Sequence, residues 1–358
     1  MSYCPAVVHI VQRMALGGIE TFVLDLARQP DDKAYIISLE GTQAELVEPW
    51  PALACISDRI MGLGAGGGFK LSLVFEIRDI LREIRPASVI LHHIGPLIYG
   101  GLAARLAGVS KIVHVEHDTW HYNAHPRHRL IARGLEILLR PQHICQSKAT
   151  AQKLTAVLPG ARIAIVPAGI DLQRFKPGDK AAARARLGLE AETALIGTVG
   201  RLVPVKGQST LIGAYRILPH DAHLVIVGDG PERQALEAQA SAHGLSDNVH
   251  FLGHRDDVEK ILPAFDVFCL PSLNEGVPRS LLEAQACGVP VVATRVGAVE
   301  EAVCPETGLL VEPSNEVLLA AALKRTLAAP PACSPRRFVE THYSWIETLN
   351  SYRQLAEV

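Results

Sequence analysis

The sequence predicts an α/β chain built from two Rossmann-like domains, each a parallel sheet with helices on both faces. Three observations carry this. The chain has 358 residues, more than one hydrophobic core usually organises. Short β-branched runs alternate with amphipathic stretches, the pattern of βαβ units. Midway, the segment 166–178, VPAGIDLQRFKPG, combines two prolines and two glycines with no apolar period, which marks a boundary.

Taken in order, the first half offers VVHIVQ, AYIISLE, RIMGLG, SVILHH, KIVHVEH, HICQS and RIAIVPAG as strands. The second half offers LIGTVGR, HLVIVGDG, VHFLG, VFCLPS, VPVVATRVG and GLLVEP. The segments between them are long enough for one helix each. AAPPACSP then breaks the helix that follows Glu316, and FVETHYSWIETLNSYRQLAEV resumes an amphipathic pattern carrying Phe338, Tyr343, Trp345, Leu349, Tyr352 and Leu355. The expected organisation is an N-terminal domain over 1–169, a C-terminal domain over 170–337, and a terminal helix over 338–358. Open α/β sheets bind ligands at the carboxyl ends of their strands, so a ligand is expected where the two domains face each other.

Composition excludes several classes. Hydrophobic residues make up 48% and charged residues 20%, ordinary globular usage, and no apolar run reaches the length of a membrane span. The opening MSYCPAVVHIVQ lacks the basic start, apolar stretch and cleavage site of a secretory signal, so cytoplasmic residence is expected. Seven cysteines, far apart and never in a C-x-x-C pair, read as buried reduced thiols. A net charge of −2 argues against nucleic-acid partners. Residues 1–170 hold 17 basic against 14 acidic groups (+3), the remainder 18 against 23 (−5), so a basic face toward an anionic surface is one reading and chance another.

The most informative stretch is LPSLNEGVPRSLLEAQACGVPVVAT, where a buried strand ends at Pro271 and a helix starts near Gly276 with Pro278 in its first turn. Backbone N–H groups around Gly276, Val277 and Arg279, with the positive helix terminus, suit a diphosphate. Glu275 and Glu283 can look into one cleft at different depths; the same spacing also fits two solvated charges. In GRLVPVKG, Arg201 and Lys206 follow a strand's carboxyl end, where two cations can neutralise a departing diphosphate. GDGPE at 228–232 lacks the full dinucleotide fingerprint and reads as a structural turn. Gly17 and Gly18, between the first strand and first helix, allow a phosphate to approach the backbone.

His117 ends a buried strand, from which its imidazole can reach the cleft or simply be satisfied in the structure. Glu116 and Asp118 spell an E-x-D, but alternation sends both to the face opposite His117, so no metal ligand set is assigned. AHPRHRLIARGLEILLR places Arg127, Arg129, Arg133 and Arg140 among Leu130, Ile131, Leu135, Leu138 and Leu139. Such a helix can lie on an anionic lipid surface or pack with a solvated basic face.

Together these motifs resemble the retaining glycosyltransferases of family 4, with the GT-B fold. The resemblance covers nearly the whole chain: the GGxE loop at Gly17–Glu20, PAGID-x-x-RF, GRLVPVKG, VGDGPE, FLGHRDDV, EGVPRSLLEA and the closing YSW helix. It implies that Glu275 and Glu283 are the two glutamates of an E-x7-E motif, contacting donor sugar and ribose. Arg201 and Lys206 match a diphosphate-binding pair, His117 a histidine near the reacting centre, and Gly18 a loop closing on the phosphates. The backbone around His254 and Arg255 corresponds to a region contacting the base, and the last helix to one that crosses back to brace the N-domain. The glycine loop MALGGIE and donor box NEGVPR depart from many relatives, which carry Phe or Tyr before the glutamate or after the glycine, so the sugar stays open.

The resulting expectation is a metal-independent transferase with no cofactor. It would move a sugar from a UDP- or GDP-sugar to a hydroxyl of a cell-surface polysaccharide or lipid-linked glycan, with retention and peripheral contact to an anionic membrane. A UDP-N-acetylglucosamine 2-epimerase-like isomerase of the same architecture is the alternative, and a non-catalytic binding subunit a third.

Overall fold

The computed structural model describes residues 6–30, 33–66, 68, 70–124, 126–218 and 221–356. The chain divides into two compact units: Met1–Pro167 together with Ile346–Val358, and Ala168–Trp345.

Unit 1 contains a parallel sheet of β1 (Val7–Arg13), β2 (Ala34–Glu40), β3 (Ile60–Gly62), β4 (Ser88–His92), β5 (Lys111–Glu116), β6 (Gln142–Cys145) and β7 (Ile163–Ile165), in the order β3-β2-β1-β4-β5-β6-β7. Unit 2 contains β8 (Ala194–Val199), β9 (Ala222–Val227), β10 (Val249–Gly253), β11 (Val267–Leu270), β12 (Val291–Thr294) and β13 (Leu309–Val311), in the order β10-β9-β8-β11-β12-β13. Every run read as a strand in the sequence forms one.

The period of two explains why the strands look uniformly apolar: both faces are buried. In unit 2, Leu195, Val225, Phe268 and Val291 pack on one side with Leu281 and Leu282. Ile196, Leu224, Val267 and Val292 pack on the other with Leu211, Tyr215 and Leu323. In unit 1, Val8, Ile10, Val89 and Leu91 meet Ile77, Leu81 and Leu97, while Val11 and Ile36 meet Val23, Leu24 and Trp50. Each fully buried side chain of this size contributes about 1.5–3 kcal/mol.

In both sheets the strand order reverses direction once, between β1 and β4 and between β8 and β11. At such a switch point adjacent loops diverge to opposite faces and leave a crevice at the carboxyl ends.

The terminal segment 338–358 is not one element. The helix Arg336–His342 belongs to unit 2, where Arg336 donates to the carbonyls of Phe175 (2.9 Å), Ala286 (2.8 Å) and Leu172 (3.1 Å). The chain then leaves helical geometry at Tyr343 (φ −135°, ψ 41°) because Ser344 pairs with Ile170 as a parallel bridge. Only the following helix, Trp345–Ala356, enters unit 1. There Thr348 donates to Pro167 O (2.9 Å) and buried Tyr352 meets Phe22 edge to face at 5.7 Å. The cysteine expectation also needs correcting. Cys145, Cys269, Cys287 and Cys304 are buried thiols, but Cys55 is exposed on the outward side of the 3₁₀ segment Pro51–Arg59, whose Leu53 and Ile56 face the core, and Cys333 is exposed in the bend before the helix Arg336–His342; Cys4 lies outside the described residues.

Candidate functional site

In unit 2, Lys206 and Glu275, picked out by the sequence, meet at the switch point. β8 and β11 are neighbours (Val267 beside Ile196, Phe268 beside Gly197), so the loops at their carboxyl ends lie side by side. The loop after β8 turns through a short 3₁₀ segment, Pro204–Lys206, and ends at Gly207 (φ +67°), where a Cβ would collide with the Pro271 carbonyl. That close approach delivers Lys206 to the donor box: its Nζ donates to Glu275 Oε1 at 2.6 Å. Ser272 Oγ donates to the same oxygen at 2.7 Å, and Thr294 Oγ1 at the end of β12 anchors Ser272 O at 2.5 Å. Both bonds fall on Oε1, which leaves Oε2 able to accept from a sugar hydroxyl. Lys206 keeps two further N–H donors. Arg201 is exposed, with no side-chain partner among the described residues; its carbonyl is held by Gln208 Nε2 at 3.0 Å.

The helix of the donor box begins later than the sequence suggests. It spans Arg279–Ala286 with Pro278 as its N-cap, in extended backbone (φ −78°, ψ 105°). Gly276 and Val277 therefore lie in the bend before it, and Pro278 takes the cap position because its carbonyl accepts from Leu282 N (3.3 Å). Glu283 sits one turn into this helix, 3.8 Å from Arg279 Nε and largely covered. His254 and Arg255 follow β10, two strands from β8. Their side chains are held locally, His254 by Asp256 at 2.9 Å and Arg255 in a bidentate pair with Asp257, both bonds 2.8 Å. That pair holds the Asp257 carboxyl below its ordinary range.

In unit 1, Gly17 caps the helix Gly18–Ala27 directly after β1, and a Cβ at Gly18 would meet nothing. Of the two readings the sequence left open for His117, its environment matches the satisfied structural histidine: it is 4% exposed, with both ring nitrogens engaged inside the unit. Its Nδ1 lies 3.2 Å from Gln146 Oε1, its Nε2 3.1 Å from His92 Nδ1, and His92 Nε2 3.2 Å from His9 Nδ1. With Gln146 accepting, each of these imidazoles carries its proton on Nδ1, and His117 and His92 accept at Nε2. Burial keeps the array neutral. It lowers His9 to about 4 and His117 to about 3, and with neighbouring imidazoles pushes His92 well below the ordinary histidine range.

Sequence reading missed the groups beside this array. His93, Glu116, Asp118 and His121 converge where β4 and β5 end. Alternation treated Glu116 and Asp118 as strand residues turned away from the chemistry, but β5 stops at Glu116, and the helix Trp120–Ala124 folds His121 back over both. The signal was strand register: His92 pairs with Val115, so the residues that follow them, His93 and Glu116, emerge side by side.

This architecture and site define a glycosyltransferase of the two-domain GT-B class, and comparison with known proteins agrees. Residues 179–345 match the family model for glycosyl transferases group 1, and residues 16–174 that for glycosyltransferase family 4. EpsF of Bacillus subtilis, assigned as a glycosyltransferase, is 30% identical over 306 residues, covering 80% of this chain and 78% of that one. The GDP-mannose-dependent monoacylated α-(1-6)-phosphatidylinositol monomannoside mannosyltransferase of Corynebacterium glutamicum is 29% identical over 367 residues, covering 92% and 91%. In fold, the crystal structure of Anabaena HepE in complex with UDP-glucose superposes with a TM-score of 0.83 over 99% of this chain and 98% of that one, at 23% identity. The chain belongs to glycosyltransferase family 4. The two sequence relatives are named as transferases, and neither favours the isomerase alternative.

Proposed function

We propose that this protein transfers a sugar from a nucleoside-diphosphate sugar to an acceptor hydroxyl with retention of configuration and without a metal at the diphosphate. The observation that carries this is the convergence of Lys206 and Ser272 on one oxygen of Glu275, at the carboxyl ends of β8 and β11. Lys206 and Arg201 supply positive charge where the leaving diphosphate becomes more negative, so their stabilisation falls on the transition state. Glu275 orients the sugar through its second oxygen, and Glu283 takes the ribose. The anomeric carbon's bond to the phosphate oxygen breaks as its bond to the acceptor oxygen forms on the same face. The acceptor's proton goes to the departing phosphate oxygen, so no protein nucleophile is required. The UDP and UDP-glucose complexes of HepE and the GDP-mannose dependence of the corynebacterial relative support UDP or GDP as the donor nucleotide. That relative's phosphatidylinositol monomannoside acceptor supports a lipid-linked glycan acceptor.

No described helix is long and apolar enough to cross a membrane. The helix Pro126–Leu139 nevertheless exposes Leu130, Ile131, Ile137 and Leu138 alongside Arg127, and this face suits shallow contact with an anionic bilayer.

A panel of UDP- and GDP-sugars is screened for protection of the full chain against thermal unfolding. The protecting donor is then assayed for turnover in buffer without manganese or magnesium, and the product's anomeric configuration read by NMR. Lys206→Ala should lower kcat roughly 10²–10³-fold. Full turnover by that variant, a strict need for added manganese, or an inverted product would overturn the mechanism; release of an epimerised nucleotide sugar without acceptor would restore the isomerase.

A further inference from the structure

Outside the donor site, the most unusual chemistry in the molecule is the group of nitrogen and oxygen donors at the carboxyl edge of the unit 1 sheet. His93, the first residue after β4, holds a backbone conformation rare for a side-chain-bearing residue (φ 72°, ψ 176°). Asp118 follows β5, and His121 lies on the helix Trp120–Ala124. One ligand atom from each of these three lies within 4.8 Å of the other two.

Beneath them Glu116 is fully buried and faces both imidazoles: Oε1 is 3.4 Å from His93 Nδ1 and Oε2 3.7 Å from His121 Nε2. The opposite nitrogen of His121, Nδ1, is 3.7 Å from Asp118 Oδ1. Glu116 Oε1, Asp118 Oδ1 and His121 Nε2 are all buried without a hydrogen-bond partner. Among the described residues the carboxylate accepts one hydrogen bond, from Tyr122 Oη, 2.9 Å from Oε2. These separations exceed normal hydrogen bonds. The separation of the two proposed ligand atoms His121 Nδ1 and Asp118 Oδ1, 3.7 Å, approaches the edge of a coordination tetrahedron, about 3.3 Å when the bonds are about 2.0–2.1 Å.

We propose that unit 1 binds one divalent transition-metal ion of the zinc type through His93 Nε2, Asp118 Oδ1 and His121 Nδ1. Glu116 receives the remaining N–H of each imidazole. A carboxylate behind a ligating histidine fixes its tautomer and ring orientation, and here one carboxylate serves both rings. Buried Glu116 and partly buried Asp118 bring two carboxylates to one point, and a divalent cation offsets their charge. Mixed imidazole and carboxylate donors select zinc-like ions over magnesium or calcium. Three protein ligands leave a fourth position for water or an anionic group.

Binding is measured on the full chain by equilibrium dialysis with Zn²⁺ and by visible absorption with Co²⁺, whose tetrahedral bands report geometry independently of turnover. Wild type should bind one ion per chain and show those bands. His121→Gln and Asp118→Asn should each remove them, and Glu116→Gln should weaken binding about 10–100-fold. The half-buried pair His223 and His250, 2.8 Å apart in unit 2, is the competing location, so His250→Asn should bind as wild type does. Thermal unfolding in the absence of metal identifies any variant that fails to fold, and half-exposed His93→Gln then reads the same site. Stoichiometric binding that survives His121→Gln, Asp118→Asn and His93→Gln, or that disappears with His250→Asn, would overturn the assignment. So would absence of binding to the wild-type chain.

Discussion

Glu275 depends on a neighbour that has no side chain. Gly297, after β12, sits at φ +56°, and a Cβ there would collide with the Glu275 carbonyl oxygen. The left-handed conformation alone costs a residue with a Cβ about 1–2 kcal/mol, and the collision moves the loop that carries the carboxylate. Gly297→Ala is therefore expected to fold with a lowered melting temperature and lowered turnover, measured by thermal unfolding and steady-state kinetics; wild-type turnover would show that the loop position does not matter. Gly18 is the contrast. A Cβ there meets nothing, so Gly18→Ala should leave the melting temperature unchanged, and any loss of turnover reports contact with the donor rather than misfolding. Glu275, Lys206 and Arg201 were legible because their residue types follow strand ends in order. Gly297 was not, because its role is set by the loop that happens to lie above it.

At the scale of elements, the sequence read strands better than helix ends. Runs such as VFCLPS are apolar on both faces and so announce burial, whereas the start of the helix after Glu275 turned on the extended ψ of Pro278, which no periodicity reveals. The basic helix 126–139 left two readings open, and the structure adds that its outward face is apolar as well as basic: Leu130 is 71% and Ile137 79% exposed, while Ala132, Leu135 and Leu139 pack inward. Replacing Leu130 and Ile137 together by Glu removes apolar area and reverses charge on that face without touching the buried side. Co-sedimentation with vesicles containing anionic lipid should fall several-fold, with unfolding and turnover on a soluble acceptor unchanged. Equal co-sedimentation of the variant and wild type would end the membrane proposal.

For the molecule as a whole, the buried imidazoles of unit 1 make stability depend on pH. His9, His92, His114 and His117 are all lowered by burial, His9 to about 4 and His117 to about 3. Below the unfolded value near 6.5 the unfolded chain takes up protons that the native state refuses, so stability is full above that pH and is lost as pH falls toward 4. The melting temperature is expected to fall steadily between pH 7 and pH 5, ahead of carboxylate titration; a flat profile over that range would show these histidines to be solvated.

The sequence by itself determined that two parallel sheets would form, which runs would be their strands, and that cations and a glutamate would follow particular strand ends, because these depend on local periodicity and on residue type at strand termini. Only the tertiary structure decided that Lys206 and Ser272 share one oxygen of Glu275, that His117 is locked in a chain of imidazoles, and that His93, Glu116, Asp118 and His121 meet. Strand order and register fix which carboxyl ends are neighbours, and those depend on long-range pairing that no window of sequence contains.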